Sequence, residues 1–159
     1  MSHLAERTKK ILRIISWTVT AGVFVMIFLF SCQNGTESAT VSNSVTDLVA
    51  EQGLKTADET AYQELDTLIR KAAHMAEFAL LAASAACAFQ FTDVRHPVHH
   101  ALIFAILTAA LDEFHQLFVA GRAALLSDVV VDTVGACVGL FCFCLVRHLV
   151  LTHKRNGEN

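Results

Sequence analysis

Proline occurs once and glycine seven times in 159 residues, too few for a loop-rich, collagen-like or disordered chain. Charge is scarce as well. Asp, Glu, Lys and Arg make up 17% of the residues, against about a quarter in a soluble domain. The formal net charge is −3, and without a concentrated basic face the chain is not expected to bind nucleic acid. The five cysteines form no zinc-pair spacing, and Cys142 and Cys144 fall on different faces of a helix. They read as small apolar packing residues rather than as chemistry.

What is present is apolar: 54% of the chain, with a mean hydropathy of +0.49, gathered into long runs. The first run, Ile11 to Ser31, follows Arg7, Lys9, Lys10 and Arg13 and is long enough to cross a hydrocarbon core of about 30 Å. A cleavable signal peptide also starts basic and turns apolar, and Leu29-Phe30-Ser31-Cys32 has some likeness to a lipoprotein cleavage site. The run exceeds a usual signal core, so an uncleaved anchor is the expectation. Further spans are expected at about 72–91, 98–118 and 128–149. Pro97, after Thr92 to His96, marks a tight turn between the second and third.

The expected fold class is therefore all-α: an integral membrane bundle of four transmembrane helices. It divides into a terminus of residues 1–10, a membrane domain of 11–149 and a tail of 150–159. The first outer loop, 32–71, is polar. Val41, Val45, Leu48 and Val49 recur there at helical spacing, which predicts a short amphipathic segment on the membrane. A second stripe, Tyr62, Leu65, Leu68 and Ile69, leads into the next span. With both termini cytoplasmic, the inner side carries Arg7, Lys9, Lys10, Arg13, Arg95, Arg147, Lys154 and Arg155. The outer side carries only Lys55, Arg70, Lys71 and Arg122, as the bias of basic residues requires.

Ionisable residues within the spans are the main clue to function, because each costs about 2.5–3.5 kcal/mol at mid-bilayer and needs a partner or water. The second span opens with Arg70, Lys71, His74 and Glu77. The third closes with Asp112, Glu113, His115 and Gln116, and the fourth opens with Asp128 and Asp132. Alternating crossings put these three helix ends at one face of the membrane, whichever way the chain is inserted. The opposite halves of the spans are essentially Ala, Leu, Phe, Val and Cys. Asp132, Gly135 and Gly139 follow Asp128 along one helix face, and the Gly-x-x-x-Gly pair admits a close neighbour.

Three readings of the cluster follow. In the first, His74 and His115 act as acid–base residues, Glu77 orients one of them, Asp112 and Glu113 complete the catalytic set, and Arg70 and Arg122 hold a phosphate or carboxylate. Lys71, Gln116, Asp128 and Asp132 complete the ligand-binding set. Carboxylates this dense need shared protons or a cation. A divalent-metal variant uses His74, Glu77, Asp112 and His115. In the second, the site binds an anionic headgroup or a partner without chemistry. In the third, the charges only pair with one another, for example Asp132 with Arg70. Transport ranks below these, since the other halves of the spans lack polar groups. His96, His99 and His100 read as a wetted helix start, and nothing is assigned to His148 or His153.

The blocks Arg70-Lys71-Ala72-Ala73-His74-Met75-Ala76-Glu77-Phe78, Asp112-Glu113-Phe114-His115-Gln116-Leu117-Phe118 with Gly121-Arg122, and Asp128 and Asp132 before Gly135 closely resemble the VanZ-like family. Ser31 and Gln33 match its short polar signature at the end of the first span, and the resemblance covers roughly Phe28 to Leu140. Ala120 and Ala124 stand where that family's pattern favours Pro and Gly. The resemblance implies a bacterial cell-envelope protein of the cytoplasmic membrane, in a family whose founding member is linked to low-level resistance to the lipoglycopeptide teicoplanin. Such a protein would meet the lipid bilayer and an anionic lipid-linked envelope precursor or lipoglycopeptide. The resemblance supplies no mechanism.

Overall fold

The architecture follows from a computed structural model, which describes residues 2–32, 59–119 and 125–157. Among the described residues there are four helices: α1 (Ser2–Ser31), α2 (Glu59–Phe91), α3 (Pro97–Gln116) and α4 (Leu126–Gly157). All four are long and apolar enough to cross a membrane. At 33 residues, α2 measures about 50 Å, well beyond a hydrocarbon core of about 30 Å. Its first turns occupy part of what reads as loop in the sequence, because the Tyr62, Leu65, Leu68 and Ile69 stripe is continuous with the span. The tail likewise continues α4, to Gly157. The amphipathic segment expected around Val41 to Val49 lies outside the described residues.

Helix α2 is the hub. It packs on α4 most extensively, then on α1 and α3. Small residues make this close packing feasible: Ala82, Ala85 and Ala86 of α2, Ala101 and Ala105 of α3, and Ala136 of α4 form one buried cluster. On α4, a Cβ built at Gly135 would lie 2.7 Å from the Met75 Cα, and one at Gly139 would lie 2.6 Å from the Ala79 carbonyl carbon. No carbon atom fits at such distances, so glycine at both positions sets the α2–α4 spacing. A second cluster joins Val23 and Ile27 of α1 to Phe78 and Leu81 of α2 and Ala109 of α3.

The outside of the bundle inverts the soluble pattern. On α3, Ile103, Leu107, Leu111 and Phe114 are each more than half exposed, whereas Thr108, Asp112, Glu113 and Gln116 on the other face are buried. Large apolar side chains outward and small or polar ones inward suit a solvent of lipid tails, in which burying Leu gains little and burying polar groups is favourable. A continuous apolar exterior of this kind would aggregate in water. The cysteines follow the same rule: Cys87 is half-buried, Cys137, Cys142 and Cys144 face outward, and all described cysteines are free. Cys137, Cys142 and Cys144 therefore meet lipid instead of packing in the core.

The two ends of the bundle differ. At one end the turn into α3 passes through Asp93 (φ 60°) and His96 (φ 62°), both left-handed, and Pro97 starts the helix where a missing N–H does no harm. Here Trp17 donates to the Thr92 hydroxyl at 3.0 Å and meets the edge of Phe89, while Lys9 pairs with Asp93. The Lys9–Asp93 pair is open to solvent, so Lys9→Ala is expected to shift the unfolding free energy in detergent by less than about 1 kcal/mol. A larger loss in an SDS unfolding titration would mean that this contact anchors α1. At the opposite end the C-termini of α1 and α3 converge with the N-terminal half of α2 and the start of α4.

Candidate functional site

Each helix reaches the charged end for a local reason. On α2, Arg70, His74 and Glu77 recur at intervals of four and three and share a face. On α3, Asp112, Glu113 and Gln116 occupy the buried side, 1%, 7% and 3% exposed. On α4, Asp132 is 2% exposed and lies one turn before Gly135, so the glycine contact that draws α4 onto α2 also carries Asp132 inward. Asp128, a turn earlier, is half-buried.

Between α2, α3 and α4 lies a cavity of about 300 Å³. It is lined by Thr67, Arg70, Lys71, His74, Glu113, Gln116, Leu125, Asp128, Val131 and Asp132. Its volume is at the lower end of small-molecule sites, which span about 300–1,000 Å³. Lys71 is exposed and Arg70 partly so. Arg70 turns toward the helix N-terminus to donate to Asp66 at 2.8 Å, an i,i+4 pair. Its Nε is buried without an acceptor among the described residues. The Arg70–Asp132 pair, one example under the structural reading, does not form: helical side chains slant toward the N-terminus, and Arg70 reaches Asp66.

Asp132 makes no hydrogen bond or ion pair with the described residues. Four other carboxyl groups, those of Asp112, Glu113, Asp128 and Glu77, lie near enough to act on it electrostatically, and Asp112 acts on Glu77 likewise. Some of these acids are satisfied internally. Gln116 donates to Asp112 at 2.9 Å, the Leu125 backbone N–H donates to Glu113 at 2.8 Å, and the Ser127 hydroxyl donates to Asp128 at 3.1 Å. The second Asp112 oxygen is buried without a partner among the described residues. Five carboxyl groups thus gather beside two described cations, Arg70 and Lys71, an arrangement that calls for shared protons or a further cation.

The structure divides the residues singled out from sequence into two sets. Arg70, Lys71, His74, Glu113, Gln116, Asp128 and Asp132 line the cavity. Glu77, Asp112 and His115 do not. His74 Nδ1 lies 3.9 Å from Glu77, a long contact within one helix. His115 packs at a tilt against Phe28 of α1, ring centres 4.7 Å apart, with its Nε2 3.8 Å from the Cys32 sulfur. His74 and His115 thus face different neighbours rather than one reacting centre. Among the described residues no three His, Cys, Asp or Glu side chains are placed to hold a metal ion. Arg122 lies outside the described residues.

Sequence reading missed Thr67, Leu125 and Val131 as lining residues, and the α1 contribution at His115. Thr67 was discoverable, since it precedes Lys71 and His74 by one and two turns on the same helix. The Phe28 and Cys32 contacts join α1 to the end of α3 and had no signal in either segment. Ser31, fully buried beside them in sequence, has a hydroxyl oxygen with no described partner.

No curated protein and no solved structure matches the chain. The sequence model of the VanZ/LLP1 family matches residues 16–147, a stretch that holds most of the bundle and the entire cavity lining. With that match over most of its length and four helices able to span a bilayer, the chain belongs to the VanZ/LLP1 family and is a multi-pass membrane protein.

Proposed function

We propose that the cavity between α2, α3 and α4 binds the charged headgroup of an anionic, lipid-linked envelope component at the outer leaflet of a bacterial cytoplasmic membrane. The observation that carries this reading is the cavity itself. Charged side chains from three helices line an open volume, and hydrophobic residues would hold helices at lower cost. Arg70 and Lys71 contact the anion. Orientation with both termini in the cytoplasm follows from the basic residues of the sequence. Protection against a glycopeptide such as teicoplanin is one outcome of occupying such a headgroup. His74 is the cavity residue suited to move a proton, so chemistry on the ligand runs through His74 if it occurs.

A structural reading has its own support in the internal pairs Arg70–Asp66 and Gln116–Asp112. The two separate by mutation. Arg70→Lys keeps the charge but loses the planar fork. It is expected to weaken protection of a susceptible bacterial host about tenfold at unchanged membrane abundance, because a hydrogen bond to a charged group is worth about 1.5–3 kcal/mol. Protection unchanged at equal abundance would remove Arg70 from the binding role. Loss of the protein itself would favour the structural reading.

A further inference from the structure

The cavity separates its charges. The short Asp132 side chain is almost fully buried, 2% exposed, and Glu113 beside it is 7% exposed. The cations are on the outside, because Arg70 and Lys71 are long, slant toward the start of α2, and carry their charge to the membrane face. Arg70 shows this direction by meeting Asp66 one turn outward. Asp132 has no hydrogen bond or ion pair with any described residue, yet it lines the cavity. A buried carboxyl group in this state stays ionised only where a donor or a positive charge meets it, and otherwise holds a proton.

A purely anionic ligand satisfies the rim and leaves the floor as it is. A bare metal ion has no triad of ligands among the described residues. The complement of a negative floor beneath a positive rim is a ligand with its cation leading and its anion behind. Resting on the headgroup reading above, but narrowing its anion to a phosphate that carries its own cation, we infer that the ligand is zwitterionic, an aminoalkyl phosphate of the phosphoethanolamine type. Its primary ammonium sits on Asp132, with Glu113 and Asp128 beside it, and its phosphate lies between Arg70 and Lys71. A primary ammonium brings three N–H donors, which carboxylates accept. A trimethylammonium has none and is held by cages of Phe, Tyr and Trp, and among the described residues none of these three lines this cavity.

The test uses the full chain purified in detergent, with phosphatidylethanolamine, phosphatidylcholine and phosphatidylglycerol offered singly and bound lipid counted by native mass spectrometry. Retention of phosphatidylethanolamine about tenfold above the other two is expected. Asp132→Asn, near-isosteric, is expected to abolish the preference over phosphatidylglycerol, and Lys71→Gln to weaken both lipids alike. Lys71 is exposed, so this second variant keeps the test usable if Asp132→Asn fails to fold. Equal retention of phosphatidylethanolamine and phosphatidylcholine overturns the ammonium assignment. Phosphatidylglycerol bound as well as phosphatidylethanolamine also overturns it, while leaving the anionic-headgroup reading standing. Retention of none overturns both. Soluble phosphoethanolamine as competitor distinguishes the source: displacement of the lipid supports recognition of the free headgroup chemistry, and failure to displace supports a bilayer lipid as the ligand.

Discussion

Replacing Gly135 and Gly139 together by valine is expected to remove folded protein from the membrane. Each new side chain would start inside the backbone of α2, at Met75 and at Ala79, where no rotamer change makes room. Overpacking costs about 1–3 kcal/mol per site when the surroundings can yield. Here the surroundings are main chain, and a whole domain is stable by only about 5–15 kcal/mol. Separating α4 from α2 also takes Asp132 away from the α2 residues Arg70, Lys71 and His74 and opens the cavity, so ligand binding disappears with the fold. Gly22→Ala is the control: nothing lies within 4 Å of a Cβ there, and normal abundance is expected. The measurement is monodisperse protein recovered in detergent, followed by SDS unfolding. A double variant as abundant and as resistant as the parent would show that α2 and α4 do not approach through these glycines.

The second large effect is expected at Asp112. Its carboxylate is 1% exposed and accepts from the Gln116 amide at 2.9 Å. Asp112→Leu strands that amide inside the bundle, a penalty of about 1–3 kcal/mol, and a several-fold fall in abundance follows. Replacing Gln116 by leucine as well removes the stranded donor. If the pair acts only as glue, the double variant regains abundance and stability, and the coupling between the two positions accounts for the loss. Function separates the roles further. Gln116 lines the cavity and Asp112 does not, so a double variant with restored abundance is expected to bind headgroup more weakly than the parent. Full recovery of binding would place Gln116 outside the ligand's reach.

Much of the architecture was legible in the sequence because lipid imposes a simple rule. An apolar run of sufficient length must become a helix, since no water is present to satisfy an open backbone. Alternation of crossings then places the start of the second span, the end of the third and the start of the fourth at one face. The cavity is lined from those three helix ends. Boundaries were less legible. Helix α2 begins at Glu59 rather than near Ala72, because helix formation continues past the hydrocarbon as long as backbone bonds propagate. The Tyr62, Leu65, Leu68 and Ile69 stripe records that continuation as helical spacing, without fixing where it starts.

The partners of individual charges were harder to read. Arg70 had acids on two other helices within plausible reach, yet it joins Asp66 on its own, because a side chain slanting toward the N-terminus meets the residue four positions earlier. His74 and His115 read as one catalytic pair, but α3 is rotated so that His115 meets α1 while His74 opens on the cavity. Helical periodicity states which residues share a face; it does not state which neighbour that face meets.

By itself, then, the sequence determined the membrane environment, the helix count among the described residues, the family and the end of the bundle at which charge gathers. All of these depend on composition and on distance along one chain. Only the tertiary structure decided that Asp132 is buried with no hydrogen bond to the described residues, that Arg70 and Lys71 stand outside it, and that all three line one cavity. Those facts depend on rotation and spacing between helices, which are set where Gly135 and Gly139 let two backbones touch.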